Sequence, residues 1–440
     1  MRDSKGRFFL RVLIFALVFV LLALALGFAL SPAESFTRQM LHDLQKEKGT
    51  IKTAFVGASH ALYGFDTQVI DRELATWSFN LGSASQKPMD SYFLLKEMYR
   101  SNQPDLVVIE LTYVMYTKFS GYDNPLSSMI LFDYFSLSAN KLDYLKTAFK
   151  AEDYPDLFLK AYRYRNRLGE APSTIKKKLT RNWLTHDPQS AAYQDEHYQS
   201  KGFVESQGGF QQGGMGRVTP YKWDQKNLDP KALDYLEEMI ALCRKEGSRV
   251  ILVSTPLPMA TLLTLGNYQE AHRYFEDLAK AQGLPYHDFN LVKAEYYDRP
   301  DTDYFDTNHL NGQGAASFSR ALCRVLNAQA RVEDTDIYFH PDFQSLSQAY
   351  PQVSNVYLQI RESQDQIILT ARSYQGDLVV PLYRFLIKEQ GETDFTPISG
   401  YSPEPSLTLE SAYAAGSQIR VEAKAEGSST YDAYDVILLP

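Results

Sequence analysis

The 440-residue chain has 44% hydrophobic and 22% charged residues, the balance of a folded protein and not of a disordered one, and its length suggests two or three domains. A net charge of −8 gives no reason to expect nucleic acid or another acidic polymer as a partner held by charge alone. Two cysteines exclude a disulfide-dense scaffold; Cys243 and Cys323 fall in helix-like segments and are read as buried thiols, with a single disulfide between them left open.

The N-terminus carries the clearest physical signal. Lys5, Arg7 and Arg11 precede an unbroken apolar run from Val12 to Leu30. Nineteen residues rising 1.5 Å each make about 28 Å of helix, enough to cross a hydrocarbon core of about 30 Å. The basic flank predicts an N-terminus inside and the main body outside, with residues 12–30 in the lipid bilayer of the cell membrane. The rival reading is a cleaved signal peptide with "ALSPAES" as its site, although such a peptide usually has a shorter apolar region.

Beyond Thr50 strand-like and helix-like segments alternate. The strands are expected at "TAFVGAS", "WSFNLGS", "DLVVIEL", "SRVILVSTP" and "LPYHDF". Several are continuous apolar runs, as strands covered on both faces require. In "DPKALDYLEEMIALCRKEG" the residues Leu233, Leu236, Met239, Ile240 and Cys243 recur at helical spacing, and Gly247 follows as a C-terminal cap. "YQEAHRYFEDLAKAQG" repeats the scheme up to Gly283. Such a series predicts an α/β fold, a parallel sheet with helices on both faces.

From about Phe119 to Asp229 no strand is expected. Helical stretches rich in Tyr, Lys and Arg lead instead to the glycine-rich "KGFVESQGGFQQGGMGR". An excursion of this length reads as a cap over the sheet's ligand end or a docking subdomain. The glycine run lacks a preceding strand and a Gly-Lys-Ser/Thr ending, so it is read as a mobile loop and not a phosphate cradle. "IKKKLTR" reads as a solvated helix face, or as a contact with anionic lipid heads if the cap lies against a bilayer. After about Val332 six short β-branched and aromatic segments, separated by Gly, Pro, Asp and Ser, predict a small antiparallel sandwich. The expected domains are therefore residues 1–34, a basic flank and anchor; 35–330, an α/β domain with 119–229 inserted; and 331–440, a small all-β domain.

In an open parallel sheet, ligands bind beyond the carboxyl ends of the strands. Ser59 stands at such an end in "FVGASH", Gly82 at the next in "FNLGS", and Glu110 at the third in "VVIEL". Much later "YFDTNHLNGQG" supplies Asp306 and His309 just before a helix, with Asn311 as its N-cap. A serine needs a base to lose its proton, and a histidine needs an acceptor to hold its tautomer. Main-chain N–H groups at Ser59 and Gly82 are candidates to meet a developing oxyanion. The bland alternative makes Ser59 a helix cap and Asp306 and His309 turn residues. His60 is read as a substrate-side or structural residue, and Glu110 as a site-lining carboxylate or a satisfied strand-end residue. The remaining histidines show no metal-ligand spacing, so neither metal nor cofactor is expected.

Gly57-Ala-Ser59-His60, then Asn80-Leu-Gly82, then Asp306-Thr-Asn-His309 resemble the blocks of the SGNH/GDSL hydrolase superfamily, over about Thr50 to Asn327. That resemblance implies a flavodoxin-like three-layer parallel sheet, Ser59 as nucleophile, Gly82 as oxyanion donor, His309 as base and Asp306 as its orienter. Ala58 stands where the family has Asp, and "IELTYVMY" replaces the Gly-x-Asn-Asp block; Thr112 or Asn80 would have to supply the missing donor. The outward-facing anchored layout resembles the D-alanyl transfer protein of teichoic-acid modification. It is also similar to esterases and acyltransferases that work beside membrane-bound O-acyltransferases on cell-surface glycans. The implied activity is a serine acyl-esterase or O-acyltransferase acting on acetyl or D-alanyl esters of a cell-envelope glycan or teichoic-acid-like polymer. Two rivals are a catalytically inactive scaffold of the same fold and a glycan-binding or assembly protein whose activity lies in the C-terminal sandwich.

Overall fold

Five short strands, three of them drawn from apolar runs in the sequence, make the central sheet of the computed structural model, which describes residues 2–118, 124–363, 366–410 and 416–439. They are β1 (Thr53–Val56), β2 (Ser78–Asn80), β3 (Leu106–Glu110), β4 (Arg249–Ser254) and β5 (Tyr286–Asp288). All pair in parallel, in the order β2-β1-β3-β4-β5. This is the flavodoxin-type order, whose reversal lies between β1 and β3.

Side chains alternate across the pleat. Ala54, Val56, Val107, Ile109, Val250 and Leu252 enter one core with Phe93, Leu94, Met239 and Ile240. Phe55, Val108, Ile251 and Val253 enter the other with Phe65, Phe318 and Leu322. Helices therefore cover both faces, which is why β1, β3 and β4 carry no polar alternation. The helix Pro230–Lys245 buries Leu236, Met239, Ile240 and Cys243, and Gly247 turns left-handed two residues beyond it, at φ 83°. Gly283 caps Tyr268–Gln282 in the same way, at φ 63°. Cys243 and Cys323 are free buried thiols in cores on opposite sides of the sheet, which closes the disulfide alternative.

The insertion departs from expectation. Its helical part is present, but residues 192–206 form a three-stranded antiparallel sheet from Ala192–Tyr193, Glu196–Ser200 and Phe203–Ser206. The turn between the last two strands docks on the edge of β2, where the Asn80 N–H donates to the Lys201 carbonyl at 2.8 Å. The glycine-rich run is packed. Gly213 donates to Asp301 at 2.9 Å and accepts from the Tyr434 N–H at 2.7 Å, while Met215 and Val218 are buried. The expected start of the insertion at Phe119 lies outside the described residues.

At the C-terminus two antiparallel sheets share one core. One contains Val353–Ser363, Gln366–Gln375 and Ser406–Glu410; the other contains Thr396–Pro397, Pro381–Lys388, Gln418–Ala425 and Ala433–Leu438. Val356, Leu358 and Leu369 of the first face Phe385, Ile419 and Val421 of the second. At the other end, the helix Arg2–Leu30 contains a segment, Gly6–Leu30, long and apolar enough to cross a membrane, and nearly all of it is unburied.

Candidate active site

Ser59 opens the short helix Ser59–Gly64 directly beyond β1, at the reversal of strand order. The helix can sit this close to β2 because Gly82 has no side chain: a Cβ there would lie 2.6 Å from the Leu62 nitrogen. Asp306 and His309 occupy the tip of a loop held by Phe305 N–H to His309 carbonyl (3.1 Å) and Asn311 N–H to Asp303 carbonyl (2.9 Å). Asn311 then caps the helix Gly312–Ala330 through the Gly314 N–H at 3.0 Å.

The loop brings its two polar residues to Ser59. Asp306 Oδ1 accepts the N–H groups of Asn308 and His309 at 2.7 and 2.8 Å, and Oδ2 stands 2.7 Å from His309 Nδ1. Nε2 of the same ring is 2.8 Å from Ser59 Oγ. With its proton on Nδ1 toward the carboxylate, the ring presents the Nε2 lone pair to the serine hydroxyl. Burial pushes Asp306 up, but the hydrogen bond and charge of His309, with the two N–H groups, hold it below the ordinary carboxylate value. The His309 ring lies almost parallel to Phe305, with centroids 5.6 Å apart, and meets Tyr63 and His60 edge-on at 5.5 and 4.9 Å.

The other expected site residues have different commitments. Asn80 is fully buried; its side-chain amide donates to the carbonyls of Ala61 (2.7 Å) and Phe65 (3.3 Å), and its Oδ1 accepts the Gly82 N–H at 2.9 Å. Asn80 thus ties the Ser59 helix to β2 and is turned away from any ligand, and the Gly82 N–H is engaged instead of free for an oxyanion. The first helical N–H to find a backbone acceptor is that of Leu62, on the Ala58 carbonyl, so the Ser59 N–H stays in the open first turn.

Thr112 donates to the Glu110 carboxyl at 2.8 Å and faces inward. Glu110 is buried behind the Ser59 turn, where desolvation, against hydrogen bonds from Thr112, Thr255 and the Ala58 N–H, pushes it up to about 7. Thr255 bridges the two groups, at 3.2 Å from Glu110 and 3.1 Å from His60 Nδ1. Burial, then the neighbouring charge of His309, lowers His60 to about 3, so it stays neutral beside Ser59.

Four surrounding residues lay outside the sequence reading. Thr255 follows β4, and its place beyond a strand end was a usable signal. Tyr63 and Phe305 enclose His309 as members of runs that otherwise read as core. Glu196 arrives from the unexpected hairpin and stands beside Tyr63; burial raises its pKa, while the charge of His309 opposes that rise. Among the described residues no group of His, Cys, Asp and Glu is arranged to hold a metal ion.

No protein-family profile matches the sequence, and a search of curated proteins gives no match. Among solved structures, the chain is similar to a Bacteroides fragilis protein provisionally described as an acylhydrolase. They share 9% identity over 66% of this chain and 94% of that one, with a TM-score of 0.29. An engineered protein aligns over 94% of this chain and 98% of its own at 11% identity, TM-score 0.16. β-Glucosidase 3B from Thermotoga neapolitana, in complex with glycerol, aligns over 90% and 75% at 11% identity, TM-score 0.14. Likenesses this distant carry no argument about chemistry, which rests on the residues themselves.

Proposed function

We propose that this chain is a serine acyl-esterase or O-acyltransferase, held outside the cell by its N-terminal helix and acting on acyl esters of a cell-envelope polymer. The observation that carries the reading is the unbroken hydrogen-bonded chain from Asp306 through His309 to the Ser59 hydroxyl. Ser59 Oγ attacks the ester carbonyl as its proton passes to His309 Nε2. The tetrahedral oxyanion forms beside the Ser59 N–H. Collapse expels the alcohol, which takes the proton back from His309, and leaves an acyl-Ser59 ester. Water, or a glycan hydroxyl, then repeats the sequence in reverse and receives the acyl group. Acetyl or D-alanyl as the acyl group, a glycan or teichoic-acid-like acceptor, and a membrane-bound O-acyltransferase as partner follow from the resemblance of the motifs.

Two observations favour a second reading. The Gly82 N–H is engaged by Asn80, and no asparagine replaces the absent donor of the third block. An inactive scaffold of the same fold would tolerate both features. Treating the full chain in detergent with a fluorophosphonate probe, beside Ser59→Ala and His309→Ala, separates the two. Label on Ser59 that disappears in both variants supports the enzyme. A folded chain that takes no label supports the scaffold.

A further inference from the structure

The helical insertion does not stand free of the N-terminal helix. Lys178, only 2% exposed, sends its ammonium group to the carbonyls of Phe28 (2.6 Å) and Ser31 (2.7 Å) and to the Ser31 hydroxyl (2.8 Å), closing the end of the apolar helix. The Trp183 indole N–H donates to the Ala33 carbonyl at 2.8 Å, and Arg167 reaches the Leu30 carbonyl at 3.3 Å. Of the three lysines expected to form a solvated face, Lys178 is therefore buried while Lys176 and Lys177 are exposed.

A cavity of about 390 Å³ lies in this junction. One wall is the apolar helix, with Phe19, Leu24 and Phe28; the other is the insertion, with Phe158, Leu159 and Trp183. At the end away from the helix's N-terminus the lining turns cationic, through Arg38, Lys160 and Lys178. These charges are poorly compensated. The oxygens around Lys178 are all neutral, and among the described residues the Arg38 guanidinium bonds the Trp183 carbonyl (3.0 Å) and a His186 ring nitrogen (3.1 Å) and lies over the Trp183 ring at 3.9 Å, with no carboxylate against it. Among the described residues Lys160 pairs with one carboxylate, Asp133, which it shares with Arg163, at 3.2 and 2.7 Å. Burial, then the charges of Lys160, Arg167 and Arg38, lowers Lys178 to about 8, the expected response of a cation among cations. Next in sequence to Arg167, Lys178 and Trp183 the insertion exposes Leu168, Leu179 and Leu184, each by more than half.

We propose that this junction binds one anionic phospholipid of the bilayer, its acyl chain along Phe19, Leu24 and Phe158 and its phosphate against Arg38 and Lys160, with the engaged ammonium of Lys178 adding its charge from behind. The inference rests on the reading of Gly6–Leu30 as a membrane anchor. Charge complementarity selects an anionic headgroup, and a membrane-length helix forming one wall selects a lipid over a soluble phosphate, which has no use for the apolar walls. Bound there, the lipid would fix the insertion, and with it the hairpin that carries Glu196, against the bilayer surface.

The test uses the full chain in maltoside micelles, titrated with phosphatidylglycerol, phosphatidylcholine or glycerol 1-phosphate and read by native mass spectrometry. One phosphatidylglycerol should be retained roughly tenfold or more in preference to phosphatidylcholine, a difference of about 1.4 kcal/mol or more. Arg38→Gln with Lys160→Gln should bring that ratio close to one. Equal retention of the two lipids by the unmodified chain overturns the proposal, as does an unchanged ratio in the folded double variant. Displacement by glycerol 1-phosphate at a similar concentration overturns it in favour of a soluble ligand. Alkaline carbonate washing of membranes tests the anchor separately. A chain that resists the wash but shows no lipid preference keeps its anchor and loses this site, whereas a chain washed free loses both.

Discussion

Gly57 and Glu110 meet across the ends of β1 and β3: a Cβ placed on the glycine would lie 2.7 Å from the glutamate Cβ and 2.9 Å from its Oε2. No side chain fits between these strand ends, so the strand that delivers Ser59 passes directly over a buried carboxyl. Gly57→Ala should lower stability by about 1–3 kcal/mol through overpacking. It should also slow labelling of Ser59 further than the same loss of stability imposed elsewhere, because the displaced segment carries the serine. Urea unfolding midpoints beside labelling rates check this, and an unchanged midpoint would show that the contact yields freely.

The carboxyl under Gly57 has its own pH signature. Glu110 is raised from its ordinary 4.5 to about 7, chiefly by burial. Below 4.5 the group is neutral in folded and unfolded chains alike. Between 4.5 and 7 the unfolded chain gives up the proton first, so this contribution to stability is lost as pH rises through that window and stays lost above it. The loss amounts to about 3 kcal/mol. Glu110→Gln should therefore leave stability near that of the parent at pH 5 and exceed it at pH 8. A variant no more stable than the parent at pH 8 would mean that the ionised carboxylate is well solvated where it stands.

The sheet and the serine were legible for the same reason. β1, β3 and β4 are continuous apolar runs because both faces are covered, and Ser59 and Glu110 follow from where those runs stop. Asp306 and His309 were legible from their spacing before a helix. The hairpin was not. "EHYQS" is polar, and its burial comes from lying against the edge of β2 and from Tyr198 reaching Asp43 at 2.7 Å, contacts with distant segments that no local pattern carries. The inward turn of Asn80 escaped for a related reason. A strand-end asparagine reads alike whether it faces a ligand or the carbonyls of a neighbouring helix. Lys178 likewise reads as one of three equal lysines until the apolar helix end beside it is in place.

The hairpin's hold on β2 depends on Gly202. This residue has φ +86°, and a Cβ there would fall 1.7 Å from the Asn80 carbonyl oxygen, which main chain alone occupies. Gly202→Ala must lift the turn off the strand and break the bond between Asn80 N–H and the Lys201 carbonyl. The expected loss is about 1–3 kcal/mol or more, from the left-handed backbone and the clash together. Limited proteolysis should cut within residues 192–206 much earlier than in the parent. Equal resistance in parent and variant would show that the hairpin is held by its other contacts.

Asp306→Asn tests the hydrogen-bonded chain without removing any of its atoms' neighbours. The Asn308 and His309 N–H groups need an acceptor, so the amide oxygen should take the place of Oδ1 and turn its nitrogen toward His309 Nδ1. An N–H there requires Nδ1 to accept. The imidazole proton must then sit on Nε2, facing Ser59 as a donor, and the base is lost although every heavy atom can keep its place. Reaction at Ser59 should fall by about 10³–10⁴-fold, the cost of a wrong tautomer in a serine–histidine–carboxylate relay. Stability should change little, because the Asp306 side chain is 42% exposed. Labelling rates and unfolding midpoints for the same preparation give both readings. A rate within about tenfold of the parent would mean that His309 does not need Asp306 to hold its tautomer, and the carboxylate would then serve only to shape the loop through the Asn308 and His309 N–H groups.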